Sequence, residues 1–119
     1  MQRVAHLALL YDAEVQNGGH SQYFLNSAGR RWRETLDALT VLGAERQGAI
    51  LAAAAARVKA YSLPEIDTRY RRPVLARASP LGDLDRAWYD VEPTINDLLQ
   101  RYLDGHFSDF IEIVDDVQR

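Results

Sequence analysis

The chain has 119 residues, with 47% hydrophobic and 26% charged side chains, which is the composition of an ordinary globular protein. The sequence contains no cysteine, and this excludes disulfides, thiolate zinc sites and thiol nucleophiles. Its formal net charge of −3 is too small to indicate a nucleic-acid binder or a strong polyanion. We expect residues 1–119 to form a single helical domain.

Apolar residues recur at steps of three and four through the first half of the chain, which predicts amphipathic helices. Asn17 with the two following glycines, Gly29 and Gly43 mark the expected helix ends, because Asn and Gly accept the left-handed backbone conformation. The predicted helices cover residues 4–15, 20–28, 30–42 and 44–62.

The periodicity fails between residues 63 and 82, where three prolines and Gly82 interrupt a stretch rich in arginine. We interpret this segment as a long Arg-rich loop. Helical periodicity returns at Asp83, and we expect Gly105 to end one helix and Ser108 to cap the next. The sequence therefore predicts an all-α fold, a compact bundle of five to seven short helices with no sheet.

No group of residues has the spacing of a catalytic or metal site. The three histidines lie far apart, and Gly18-Gly19 lacks the lysine of a phosphate-binding loop. We therefore expect no enzymatic activity, no metal and no cofactor. No apolar segment approaches the roughly 20 residues that a membrane span needs, and we expect a cytoplasmic protein without a membrane partner.

The stretch NGGHSQYFLNSAG, residues 17–29, is the least generic part of the sequence. Gln22 and Asn26 are four residues apart and share a helix face, where their amides can form hydrogen bonds. We favour a structural role, with a binding pocket as the alternative. The residues of this block, named here the signature block, are Asn17, Gly18, Gly19, Gln22, Tyr23, Phe24, Asn26, Ser27 and Gly29.

The signature block, with its lead-in AEVQ, resembles the bacterial DNA-mimic protein family, a domain otherwise without an assigned function. LDALTVLGA at residues 36–44 and LDRAWYDVEPTINDLLQRYLDGHFSDF at residues 84–110 are similar to later parts of the family pattern. The resemblance implies an all-α domain, often dimeric, with no assigned enzymatic activity. It also implies a protein partner, because the member that names the family occupies the DNA-binding face of a transcription regulator.

Acidic residues are concentrated in the last third of the chain. Residues 1–80 hold eleven basic and seven acidic side chains, whereas residues 81–119 hold three basic and ten acidic ones. We expect this acidic part to contact a basic partner, such as a DNA-binding regulator. The candidate contact residues are Asp83, Asp85, Asp90, Glu92, Asp97, Asp104 and Asp109.

Four of these residues, at positions 83, 90, 97 and 104, recur every seven residues. Seven residues of helix span about 10.5 Å, close to three phosphate steps of about 3.4 Å on one DNA strand. The spacing is compatible with imitation of phosphates, and it also describes any solvated helix face.

Two alternatives to a DNA mimic stay open. The first is an immunity-type or other partner-neutralising protein, which needs only a shaped surface. The second is a nucleic-acid binder that uses Arg30, Arg31, Arg33 and the Arg-rich loop.

Overall fold

The computed structural model describes the backbone of residues 2–60 and 81–118, and the side chains of residues 2–26, 28–60 and 81–106. Within these residues the chain forms five α-helices and one 3-10 helix, with no strand, which confirms the all-α prediction. The Arg-rich loop predicted at 63–82 falls almost wholly outside the described residues. The helices are α1 (Gln2–Leu25), the 3-10 helix (Ser27–Arg31), α2 (Trp32–Leu42), α3 (Glu45–Ala60), α4 (Gly82–Tyr89) and α5 (Ile95–Gln118).

Helix α1 is bent where the sequence predicts a helix end. Gly18 and Gly19 leave helical geometry, and Gly19 has φ 75° and ψ −175°, a conformation that essentially only glycine adopts. A Cβ atom on Gly19 would also lie 2.3 Å from Oδ2 of Asp85. The glycine therefore permits both the bend and the close approach of α4.

The second predicted helix ends earlier than expected. Helix α1 stops at Leu25, and Gly29 lies inside the following 3-10 helix rather than at a helix end. A Cβ on Gly29 would lie 2.6 Å from the Tyr23 carbonyl oxygen, so glycine is needed here for close packing. Gly43 does end α2 as predicted, in the left-handed conformation with φ 75° and ψ 19°.

The predictions for Gly105 and Ser108 are wrong, because both residues lie inside the continuous helix α5. A glycine inside a helix costs about 1 kcal/mol relative to alanine. It ends the helix only when the backbone there turns left-handed, as it does at Gly43. Pro93 lies in the turn between α4 and α5, so the two helices have separate axes.

The main hydrophobic core brings the described parts of all five α-helices together. Tyr11 and Tyr23 of α1 are almost completely buried, and Leu39, Leu51 and Ile95 pack in the same cluster. The two tyrosine rings meet edge to face with centroids 5.0 Å apart. Because both halves of α1 contribute to this core, the bend at Gly19 determines how the signature block is placed.

Candidate functional site

The carboxylate of Glu14, before the bend in α1, accepts hydrogen bonds from two side chains that follow the bend. Oε2 of Glu14 accepts hydrogen bonds from Nε2 of Gln22 at 3.1 Å and from Nδ2 of Asn26 at 2.5 Å. Both donors belong to the signature block, and Glu14 belongs to the helical turn before it. These contacts link the segment before the bend to the segment after it, and they support a structural role for the two amides.

A second set of hydrogen bonds links the bend to α4. Oδ1 of Asp85 accepts from the backbone N–H of His20 at 2.8 Å and lies 2.7 Å from Nδ1 of the same residue. Nε2 of His20 lies 2.6 Å from the hydroxyl of Tyr11. The Asp85 carboxylate, the His20 ring and the Tyr11 hydroxyl thus form a continuous chain from the edge of α4 into the core.

Burial decides the charge state of this hydrogen-bonded chain. Desolvation lowers the pKa of His20, although the nearby Asp85 opposes the shift. Burial raises the pKa of Tyr11 well above its usual value. The histidine is therefore neutral at pH 7, with Nδ1 donating to Asp85 and the Tyr11 hydroxyl donating to Nε2. His20 and Tyr11 are both 0% exposed, so neither is open to a substrate.

The remaining residues of the signature block are dispersed. The Tyr23 hydroxyl donates to Oγ1 of Thr35 at 3.1 Å inside the core, and Phe24 packs against Tyr23 with ring centroids 5.1 Å apart. Asn17 is exposed. Ser27 begins the 3-10 helix, and its side chain is not among those described.

The candidate contact residues fall into two groups, and the first group is already engaged within the chain. Asp85 binds His20, and its side chain is 23% exposed. Asp83 forms a two-pronged ion pair with Arg57 of α3, with distances of 2.5 and 2.8 Å. Arg57 lowers the pKa of Asp83 to about 2.

The second group consists of Asp90, Glu92, Asp97 and Asp104, which are all exposed. None of the four forms an ion pair with a cation among the described residues. Asp97 and Thr94 cap the start of α5 reciprocally, since each side chain accepts from the other's backbone N–H. Asp104 accepts from Nε2 of Gln100 at 2.9 Å. The side chain of Asp109 lies outside the described set.

Comparison with known protein families identifies the family of this chain. The profile of the DMP19-like protein family matches residues 1–106. The chain belongs to the DMP19-like protein family. The match covers the signature block and the four exposed carboxylates of α5 and of the turn before it, and it confirms the resemblance to DNA-mimic proteins. Neither a curated protein nor a solved structure matches the chain.

This DMP19-like chain shows no metal-binding arrangement in its described part: no three His, Cys, Asp or Glu side chains there meet closely enough to hold an ion. Among the described helices, none is both long and apolar enough to span a membrane.

Sequence reasoning missed the chain of hydrogen bonds from Asp85 through His20 to Tyr11. Its members are separated by 9 and 65 residues, so no local spacing reveals them. The available signal was the pair of glycines before His20, since glycine is often found where another part of the chain approaches the backbone closely. Asp12 of α1, only 8% exposed, was also missed because a charged residue on the polar side of a helix is expected to face water.

Proposed function

We propose that the chain is a non-enzymatic protein-binding domain that engages a basic, DNA-binding partner through its acidic surface, defined as Asp90, Glu92, Asp97 and Asp104. The observation that carries the proposal is that these four exposed carboxylates have no cationic partner in the described part of the chain. Membership of the DMP19-like family supports a DNA-mimic type of protein. A cytoplasmic location, where DNA-binding regulators act, belongs to the same proposal.

The charge balance around the acidic surface favours a cationic partner. Residues 81–106 contain six carboxylates and two arginines, Arg86 and Arg101. Two of the six carboxylates are engaged within the chain, by Arg57 and His20. The four carboxylates that stay available lie in the turn after α4 and on α5. Such an excess of negative charge accelerates association with a positively charged surface and makes it sensitive to salt.

Imitation of DNA phosphates is supported along α5 only. Asp97 and Asp104 are one seven-residue step apart on this helix, which places them about 10.5 Å apart along its axis. The turn before α5 separates them from Asp90, and the ion pair with Arg57 removes Asp83 from the row. We therefore propose a patch of carboxylates with one phosphate-like interval rather than a four-residue row.

The absence of enzymatic activity is part of the proposal. Among the described residues, His20 is the one histidine that contacts both a carboxylate and a hydroxyl, and it is enclosed by the core. A general base must lie within hydrogen-bond reach of a substrate. His20 and Tyr11 have no such access, so their hydrogen bonds serve the packing of α4 against α1.

The test is to capture partner proteins on the immobilised chain. The captured proteins are then examined for binding to duplex DNA and for release from that DNA by the chain. We expect Asp90→Lys with Asp104→Lys to reduce capture at least tenfold at low salt. This pair is preferable to one that includes Asp97, because replacing Asp97 would also remove the helix cap and cost about 1 kcal/mol of stability.

The matched control is Asp37→Lys with Glu45→Lys. Both residues are exposed, on α2 and α3, and the substitution changes the net charge by the same amount. We expect this control to bind like the parent. Equal loss in both variants would show a dependence on total charge alone and would refute the acidic surface. A captured partner that does not bind DNA would favour an immunity-type protein instead.

A direct nucleic-acid binder is the second candidate, because Arg30, Arg31 and Arg33 are all exposed where the 3-10 helix is followed by α2. Duplex DNA that binds the chain with a steep salt dependence, and that is lost when the three arginines become glutamines, would favour it. The acidic-surface proposal predicts no such binding.

A further inference from the structure

A cleft beside the acidic surface contains an almost buried carboxylate. The cleft has a volume of about 210 Å³ and lies between α1, α3, α4, the turn after α4 and the first residues of α5. A water molecule occupies about 30 Å³ in the liquid, so the cleft has room for a whole side chain. Exposed Gln16, Tyr89 and Asn96 stand at its border, and through them the cleft opens to solvent.

The carboxylate is that of Asp12, which is only 8% exposed. Its Oδ2 accepts from Nε2 of Gln16 at 2.9 Å. Its Oδ1 has no hydrogen-bond partner among the described residues, and the Trp88 indole nitrogen is the one fully enclosed polar side-chain atom without a partner there. Oδ1 is therefore not fully enclosed by protein, and Asp12 is one of the residues that line the cleft. A carboxylate this buried is normally paired with a cation, and Asp12 has none within the described chain.

The other walls of the cleft suit a planar cation with several N–H donors. Nε2 of Gln47 donates to the Pro93 carbonyl at 2.7 Å, which fixes this amide and leaves its oxygen as an acceptor. The hydroxyl of Tyr89 donates to the Val15 carbonyl at 3.0 Å, which holds the tyrosine ring in one orientation. A carboxylate, an amide oxygen and a fixed aromatic ring are the groups that guanidinium contacts most favourably.

The position of the cleft connects it with the proposed partner. Tyr89 and Val91 line the cleft, and they alternate in sequence with Asp90 and Glu92 of the acidic surface. A basic protein drawn to that surface therefore brings its cationic side chains to the mouth of the cleft. DNA-binding faces are rich in arginine, since its planar head contacts phosphates and guanine edges.

From this geometry we propose that the Asp12 cleft receives one arginine side chain of the partner, which pairs with Oδ1 of Asp12. This inference rests on the proposed function for the partner's identity, and it adds the residue type and the site that anchor it. Anchoring residues of this kind sit in desolvated pockets and carry a large share of binding energy. The acidic surface provides attraction at a distance, and the cleft provides the specific contact.

The experiment first probes the cleft without any partner, by adding N-acetyl-arginine amide to the full chain labelled with nitrogen-15. The chain has two tryptophans, and Trp88 lines the cleft whereas Trp32 does not. We expect the Trp88 indole N–H resonance to move with saturation while that of Trp32 stays in place. N-acetyl-citrulline amide, the neutral analogue of the same shape, should move neither.

Asp12→Asn should weaken arginine binding at least tenfold, because it removes the charge and keeps the shape and the acceptor for Gln16. Asn96→Lys gives a second variant at an exposed position, where the chain's own ammonium group should block the cleft. Gln100→Lys adds the same charge one turn away on α5 and should bind arginine like the parent. The Trp32 resonance reports whether each variant is folded.

Equal shifts with arginine and citrulline, or unchanged binding by Asp12→Asn, would overturn the cleft proposal. So would a captured partner that binds Asp12→Asn as tightly as the parent. These results are separate from the test of the acidic surface: arginine can bind the cleft when no DNA-binding partner is found, and a partner can depend on Asp90 and Asp104 without using Asp12. The first outcome refutes only the proposed function, and the second refutes only the cleft.

Discussion

Replacing Gly19 by alanine tests the contact between the bend in α1 and helix α4. The new Cβ would meet Oδ2 of Asp85 at 2.3 Å, at a residue whose φ is 75°. The backbone strain costs about 1–3 kcal/mol. Displacing the carboxylate weakens two hydrogen bonds to His20, and a hydrogen bond to a charged group contributes about 1.5–3 kcal/mol.

We therefore expect Gly19→Ala to lower the free energy of unfolding by about 3–6 kcal/mol, out of the roughly 5–15 kcal/mol that is typical for proteins. Gly43→Ala is the matched control, since Gly43 has the same φ of 75° but no atom within 4 Å of the new Cβ. Only strain applies there, which costs about 1–2 kcal/mol.

Urea unfolding monitored by circular dichroism measures both variants, and Gly19→Ala should lower the midpoint by about 1–3 M. A double-mutant cycle with Asp85→Ala isolates the contact. In the Asp85→Ala background the Cβ of residue 19 no longer meets a carboxylate, so the added cost of Gly19→Ala should fall to the strain alone. Strictly additive losses, or equal losses for Gly19→Ala and Gly43→Ala, would refute this account of the bend.

Two further predictions concern the signature block. Asn26→Ala should lower the free energy of unfolding by about 1–3 kcal/mol, because Glu14 loses a hydrogen bond of 2.5 Å. The control Asn17→Ala, at an exposed residue, should change it by less than about 0.5 kcal/mol. An Asn26→Ala variant with full stability and impaired partner binding would instead indicate a binding site. Burial lowers the pKa of His20 below 6.5 in the folded chain, so the unfolded chain binds a proton at this histidine at a higher pH than the folded chain does. The stability is therefore fully present above about pH 6.5 and is lost as the pH falls towards the folded pKa. Urea midpoints between about pH 7 and 5.5 should show this dependence in the parent and in the exposed-residue control His6→Gln, but much less of it in His20→Gln.

The acidic residues show how far a count of charges can go. The sequence places ten carboxylates after residue 80, and composition treats them as equal. In the folded chain Asp83 pairs with Arg57, and Asp85 binds His20 beneath the bend. Asp97 also holds the start of α5. The capping contact of Asp97 with Thr94 is local, but only tertiary contacts give Asp83 and Asp85 their partners inside the chain.

The helical class and the end of α2 at Gly43 followed from the sequence, because periodicity and the conformational freedom of glycine are local properties. At residues 17–19 the sequence predicted a helix end, and the structure has a bend in α1 at Gly18 and Gly19 instead. Local reasoning failed at Gly105, where packing and helix propagation rather than residue type decide whether a helix continues. It also could not find the Asp12 cleft or the hydrogen bonds of His20, since these groups come from helices distant in the chain. Their burial, their partners and their pKa values depend on which helices pack together, and that arrangement exists only in the tertiary structure.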